Sequence, residues 1–212
     1  METLHPSEYP WAEPLRAGLL RGDAFVPEAC VDDLEGRVPV VAVGSNASPA
    51  VLRHKLGPLL STGVPLAVVQ VEGLAVGHSA HVSARGYIAA APFRSEGAHE
   101  AVVAWFDTAQ LATLDATEPN YRRIPLPDDM SCRQGDVSVA GAEVYASVHG
   151  VLGEDSTPLS LRDQISALSW LAHRLPAPIA SALNHGSLRE ANTRERVRGA
   201  LIEAGLVLPS GL

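Results

Sequence analysis

Two short stretches of this chain combine residue types that can hold an anion and move a proton. The first is Gly44-Ser45-Asn46, entered from the apolar run 38–43 and followed by Ser48-Pro49. Ser48 is a favourable N-cap, Pro49 suits the first helical position, and Gly57 suits the stop. The pattern therefore predicts a buried strand, a tight turn and a short helix. A turn and a helix start both leave amide N–H groups without backbone acceptors, and such groups favour an anion or a developing oxyanion. Asn46 adds a side-chain donor and acceptor, although the same three residues also make an ordinary turn.

The second stretch runs from Asp107 to Arg123. Asp107 and Gln110 have capping-box spacing, and Leu111 and Leu114 form the apolar side of a two-turn helix. Pro119 pushes the preceding residue out of the helical region, so the helix should end near Ala116. Glu118 then stands just past the negative end of a helix dipole, a place that suits a carboxyl group required to carry a proton. The alternative is a surface glutamate beside Arg122 and Arg123.

Taken in order, Gly44-Ser45-Asn46, then a strand-rich stretch, then Leu114-Asp115-Ala116-Thr117-Glu118 and Tyr121 resemble the gamma-glutamylcyclotransferase-like family. The resemblance covers about residues 38–150. It departs from the family pattern at Val43, where an aromatic is usual, at Pro119, where glycine is usual, and in the short gap from Glu118 to Tyr121. It implies an α+β fold built on a small mixed β-barrel, closed or nearly so, flanked by helices and with a cavity at its mouth. It also implies release of 5-oxoproline from a γ-glutamyl amide or peptide. Glu118 would be the catalytic acid/base, and Gly44, Ser45 and Asn46 would bind the substrate, with Tyr121 and Arg122 as further contacts. Because the amine attacks its own γ-carbonyl, positioning lowers much of the barrier and neither metal nor cofactor is called for. Val43 and Pro119 motivate a second reading, a non-catalytic binding module on the same fold. A hydrolase or transferase with a different nucleophile is a third.

Other motifs carry less. His78 and His81 form an H-x-x-H pair with no third ligand at a metal-site spacing, and read as polar loop histidines. No nucleophile elbow of the G-x-S-x-G kind exists, and Gly44-Ser45-Asn46 has neither the glycine run nor the Gly-Lys-Ser/Thr ending of a phosphate loop.

The elements that must position these residues follow from periodicity. Run 38–43 reads as a strand buried on both faces. Runs 66–71, 74–76, 87–91 and 101–106 read as further strands, and 137–148 as a hairpin turning at Ala140-Gly141. A helix is expected around 13–20. Another is expected over 161–175, with Leu161, Ile165, Leu168 and Leu171 on one stripe, and a last one over 193–204 capped by Gly205. This divides the chain into an arm (1–37) packed through Tyr9, Trp11, Leu19 and Leu20, a barrel domain (38–155) and a helical extension (156–212). The extension's apolar stripe would seal the barrel or join two copies in a homodimer.

Composition bounds the class. The chain has 212 residues, 46% hydrophobic and 19% charged, which suits a folded core rather than disorder. A net charge of −8 and a pI near 5.4 argue against a nucleic-acid partner. Lys55 is the only lysine and reads as compositional bias. Cys30 and Cys132 are too few for a disulfide framework and read as free thiols. Neither a signal peptide nor a run of membrane-spanning length is evident, so a cytoplasmic location without a membrane partner is expected.

Overall fold

The computed structural model describes residues 4–11, 15–29 and 34–212. Cys30 lies outside them. Strands β1 (Gly18–Arg21) and β2 (Ala24–Pro27) form a hairpin, followed by β3 (Val38–Ala42), a 3-10 turn at Ser45–Ala47 and helix α1 (Pro49–Leu56). Two strands of 19 residues, β4 (Val64–Val82) and β5 (Ile88–Phe106), lead into α2 (Thr108–Ala116). The short strands β6 (Tyr121–Pro125), β7 (Ser131–Gln134), β8 (Val137–Ser138), β9 (Glu143–Ser147), β10 (Val151–Glu154) and β11 (Thr157–Pro158) follow. Helices α3 (Gln164–Ala172), α4 (Ala177–Ala180) and α5 (Ala191–Glu203) and strand β12 (Val207–Leu208) complete the chain.

The fold is mixed α+β with one large sheet, whose main path runs β11-β10-β4-β5-β3-β9-β6. Only β3 and β9 pair in parallel within that path. Alternation on β5 shows why its end is apolar throughout. Ala101, Val103 and Trp105 enter one core cluster, and Val102, Ala104 and Phe106 the other, so both faces are buried. Val41 and Val40 divide between the same clusters.

The sheet curls without closing. In a flat sheet β9 would lie three strand spacings from β4, about 14 Å. Yet Ser147 Oγ on β9 is 2.7 Å from Ser79 Oγ on β4, and the Tyr121 hydroxyl on β6 donates to the Ala90 carbonyl on β5 at 2.7 Å. No ladder among the described residues joins β6 to β11, so of the barrel that the resemblance implies, closed or nearly so, the structure shows an open, strongly curved sheet.

Four expectations need correction. Residues 12–14 lie outside the described set, and the rest of the expected helix at 13–20 includes β1, which pairs with β2 and β4. Gly18 inside it and the turn at Gly22-Asp23 both disfavour a helix. The four runs 66–71, 74–76, 87–91 and 101–106 belong to two continuous strands. The polar residues between them stay extended because each strand gives the other a ladder partner, with an irregularity between Glu72 and Leu74. Segment 137–148 is no hairpin: β8 pairs with β7, while β9 crosses to β3 and β6. On α3, Ile165 is 74% exposed, and the buried face is instead Gln164, Ala167, Leu168 and Leu171. Gln164 reaches the Ile88 amide at 2.8 Å and its carbonyl at 2.9 Å, so the helix is rotated to satisfy the start of β5.

Helix α2 follows its sequence signals closely. The Asp107 side chain accepts from the Gln110 amide at 2.9 Å, and Gln110 Oε1 accepts from the Asp107 amide at 3.0 Å. Gln110, fully buried, also donates to the Leu59 carbonyl, Thr62 hydroxyl and Gly63 carbonyl. Gln110→Met should therefore cost about 2 kcal/mol, since it strands several buried polar groups. Thermal unfolding should show a midpoint lowered by roughly 4–8 °C.

Candidate functional site

The turn after β3 is fixed by two backbone bonds, Ala47 N to Gly44 O and Ser48 N to Ser45 O, both 3.0 Å. Its opening residues, Ser45 and Asn46, are those whose amides lack an intrahelical acceptor. Ser48 is the N-cap of α1 by position, but its side chain makes no capping bond. Gly44 is required for space rather than for a left-handed backbone. A Cβ there would lie 2.8 Å from the Tyr9 hydroxyl and 3.1 Å from Ala90 Cβ.

Glu118 is held from both sides. Its amide donates to the Asp115 carbonyl at 3.1 Å, ending α2, and its carbonyl accepts from the Tyr121 amide at 3.0 Å, starting β6. Pro119 and Asn120 are the central residues of that turn, and proline's fixed φ suits the first of them. Below it, the Asp115 carboxylate takes a two-point contact from Arg123, 2.9 Å to each nitrogen, and a bond from the Tyr145 hydroxyl at 2.6 Å. Arg123 also pairs with Glu143. The Arg123 guanidinium holds the Asp115 carboxyl below the usual carboxylate range.

The two stretches meet. Asn46 Nδ2 donates to Glu118 Oε1 at 3.0 Å, across 72 positions of sequence. Lys55, on α1, donates to the same Glu118 oxygen at 2.6 Å and to Asn46 Oδ1 at 2.8 Å. Side-chain exposure of the ion pair is 15% for Lys55 and 14% for Glu118. These groups face a cavity of about 370 Å³ whose lining includes Gly44, Ser45, Asn46, Lys55, Glu118 and Tyr121. Arg122 is not among the lining residues. Strand alternation turns it to the exposed face of β6, opposite Tyr121.

Lys55 is the main residue that sequence reasoning missed. Its single signal was being the only lysine among arginines, one helical turn or more beyond the Gly-Ser-Asn turn. The arm is expected to pack through Tyr9 and Trp11, but their place beside Tyr87 in the lining of the cavity is not legible in the sequence. Tyr9, Tyr87 and Trp11 pack together at one wall, with Tyr9 and Tyr87 stacked at 4.2 Å and Trp11 edge-on to both. The buried Tyr9 hydroxyl accepts from the Ala90 amide at 2.8 Å. Burial pushes the Tyr9 and Tyr121 phenols up, so both remain neutral.

His78 and His81 are not loop residues. Both are buried on β4, and only His81 lines the cavity. His81 Nδ1 contacts Ser79 Oγ, and its ring lies 4.6 Å from that of His149, which in turn reaches Asn120 at 3.0 Å. No group of three or more metal-ligating side chains occurs among the described residues. Cys132 is buried, which pushes its thiol up to about 11 and leaves it unreactive. No helix among the described residues is long and apolar enough to cross a membrane.

No family model matches the chain, and no curated protein matches it. Several solved structures are similar to it. An uncharacterized protein from Homo sapiens aligns at 13% identity over 84% of this chain and 92% of its own, with a TM-score of 0.45. A protein from Arabidopsis thaliana, solved in solution, aligns at 18% identity over 68% and 80%, with a TM-score of 0.42. The solved structures that the chain resembles also include a gamma-glutamyl cyclotransferase, at 13% identity over 83% of this chain and 90% of that one, with a TM-score of 0.44.

Proposed function

We propose that the chain is a γ-glutamyl cyclotransferase-type enzyme that releases 5-oxoproline from a γ-glutamyl amide or peptide. The observation that carries this reading is the hydrogen bond between Asn46 and the Glu118 carboxylate inside one cavity. It puts a proton carrier beside a turn whose amides can receive an oxyanion.

In this mechanism Glu118 takes a proton from the substrate's α-ammonium. The freed amine nitrogen attacks the γ-carbonyl carbon, forming the ring C–N bond and placing negative charge on the carbonyl oxygen. The amides of the Gly44–Asn46 turn stabilise that oxygen. When the intermediate collapses, the C–N bond to the leaving amine breaks and Glu118 gives its proton to the departing nitrogen. The ring nitrogen, which still carries a second proton and a positive charge, then passes that proton through the Glu118 carboxylate to the free amine. The amine leaves as an ammonium ion beside neutral 5-oxoproline. Water is not consumed and proton count is conserved. Tyr121, neutral and facing the cavity, is a contact for the γ-glutamyl chain.

The test is a panel of γ-glutamyl amino acids, peptides, amines and anilides, incubated with the full chain and assayed for 5-oxoproline. Formation of 5-oxoproline from at least one compound is expected. The engagement of Glu118 by Lys55 favours the second reading, a binding module whose carboxylate is not available for proton transfer. That protein would show a raised melting temperature with a panel compound and form no product.

A further inference from the structure

Lys55 sits where the proposed chemistry needs a second charge, and the proposed reaction leaves it without a task. A γ-glutamyl group carries its α-ammonium and α-carboxylate on one carbon. Any pose that brings the ammonium to Glu118 therefore brings the carboxylate to the immediate neighbourhood of Glu118. The cation bonded there is the Lys55 ammonium, 2.6 Å from Glu118 Oε1. Resting on the reading above, we infer that Lys55 anchors the substrate's α-carboxylate and so selects substrates with an α-amino-acid head group.

Three observations support this assignment. First, Lys55 has a support that does not depend on Glu118, the 2.8 Å bond to Asn46 Oδ1. It can exchange Glu118 for a ligand carboxylate and keep its place. Second, an ammonium has three donors. Two are used by Glu118 and Asn46, and the third has no partner among the described residues. Third, no other cation among the described residues is bonded to the Glu118 carboxylate. Arg123 is bound by Asp115 and Glu143 and Arg122 faces out of the cavity, while His54 and Arg85 also line the cavity but the bonds to Glu118 come from Lys55 and Asn46. His81, facing the cavity, is neutral because burial disfavours its cation.

The residue type fits too. Of the 16 lysine and arginine residues, every one but Lys55 is arginine. A guanidinium fork suits two-point contact with one carboxylate, whereas an ammonium is a compact charge that can be shared among Glu118, Asn46 and a ligand. A largely buried ion pair is also seldom retained for stability alone, since apolar replacements of similar volume often serve as well.

The test compares two substrates: the γ-glutamyl amide turned over fastest in the panel, and its analogue with the α-carboxylate converted to a carboxamide. The analogue keeps the attacking amine and the γ-amide, so its cyclisation chemistry is unchanged. Wild-type protein should prefer the carboxylate in kcat/KM by about 30-fold or more, the range of a hydrogen bond to a charged group. In Lys55→Met that preference should fall to within about threefold, through loss on the carboxylate substrate. Lys55→Arg should keep most of it. Equal preference in wild type and Lys55→Met, or no preference in wild type, would overturn the assignment; the second result needs no variant to fold. A Lys55 that merely braces Glu118 would lower turnover of both substrates alike and leave the ratio unmoved. Failure of wild type to convert any γ-glutamyl compound would instead remove the cyclotransferase reading itself.

Discussion

Replacing Glu118 by glutamine is expected to lower 5-oxoproline release by about a thousandfold, within the range lost when a positioned acid/base is removed. The change conserves shape. A glutamine oxygen can still accept from Asn46 Nδ2 and Lys55 Nζ, so the turn at residues 118–121 and its backbone bonds to Asp115 and Tyr121 persist. What is lost is the capacity to take and return a proton. The variant should nevertheless unfold more readily than wild type, by about 1–3 kcal/mol, because the Lys55 charge is left without its partner in a mostly enclosed site. Adding Lys55→Met separates the two effects. The double variant should regain stability in urea unfolding and stay inactive, because removing the stranded charge restores no proton carrier. Folded Glu118→Gln protein with wild-type turnover would take Glu118 out of the chemistry.

The parts of this site legible in the sequence were those set by local rules. Asp107 and Gln110 announce a capping box, Pro119 announces a helix end, and Ser48-Pro49 announces a helix start, and each element lies within two residues of its expected place. The apolar run at 38–43 was legible as a strand for the same reason, since both its faces are covered. What was illegible depends on partners distant in sequence. The polar stretch 94–100 has no intrinsic claim to be a strand and is held by its pairing with β4. Gln164 breaks the apolar stripe of α3 because it bonds an amide 76 positions away. Lys55 looked like composition because nothing local distinguishes a lysine bound for a cavity from one bound for solvent. Curvature was equally hidden, for it is visible only in contacts such as Ser79 with Ser147.

The histidines of β4 carry the second large effect, a loss of stability in mild acid. The fully buried His78 accepts the Arg162 amide at Nε2, 3.1 Å away, so that nitrogen is unprotonated. Protonation would place a charge in the core and set a donor against a donor. Burial pushes His78 down to about 4, with Arg162 adding to the effect and Asp163 opposing it. His81 is pushed down to about 3, first by burial and then by the neighbouring His149. An unfolded histidine titrates near 6.5. Between that pH and the folded values the unfolded chain binds the extra protons, so stability is complete above about pH 6.5 and falls as the pH drops toward 4. At pH 5 each histidine should subtract roughly 2 kcal/mol, a shift of one unit being about 1.4 kcal/mol. Asp115, held low by Arg123, contributes in the same direction only at more acidic pH, below its ordinary value. His99 and His149, also held down by burial, add to the effect, so urea unfolding at pH 7.5 and 5.0 should differ by at least about 4 kcal/mol. His81→Asn should reduce that difference by about 2 kcal/mol, because one titrating group is gone while a short polar side chain remains beside Ser79. Equal stability at the two pH values would mean that these rings are hydrated, and that the curled sheet does not exclude water from the wall it shares with the cavity.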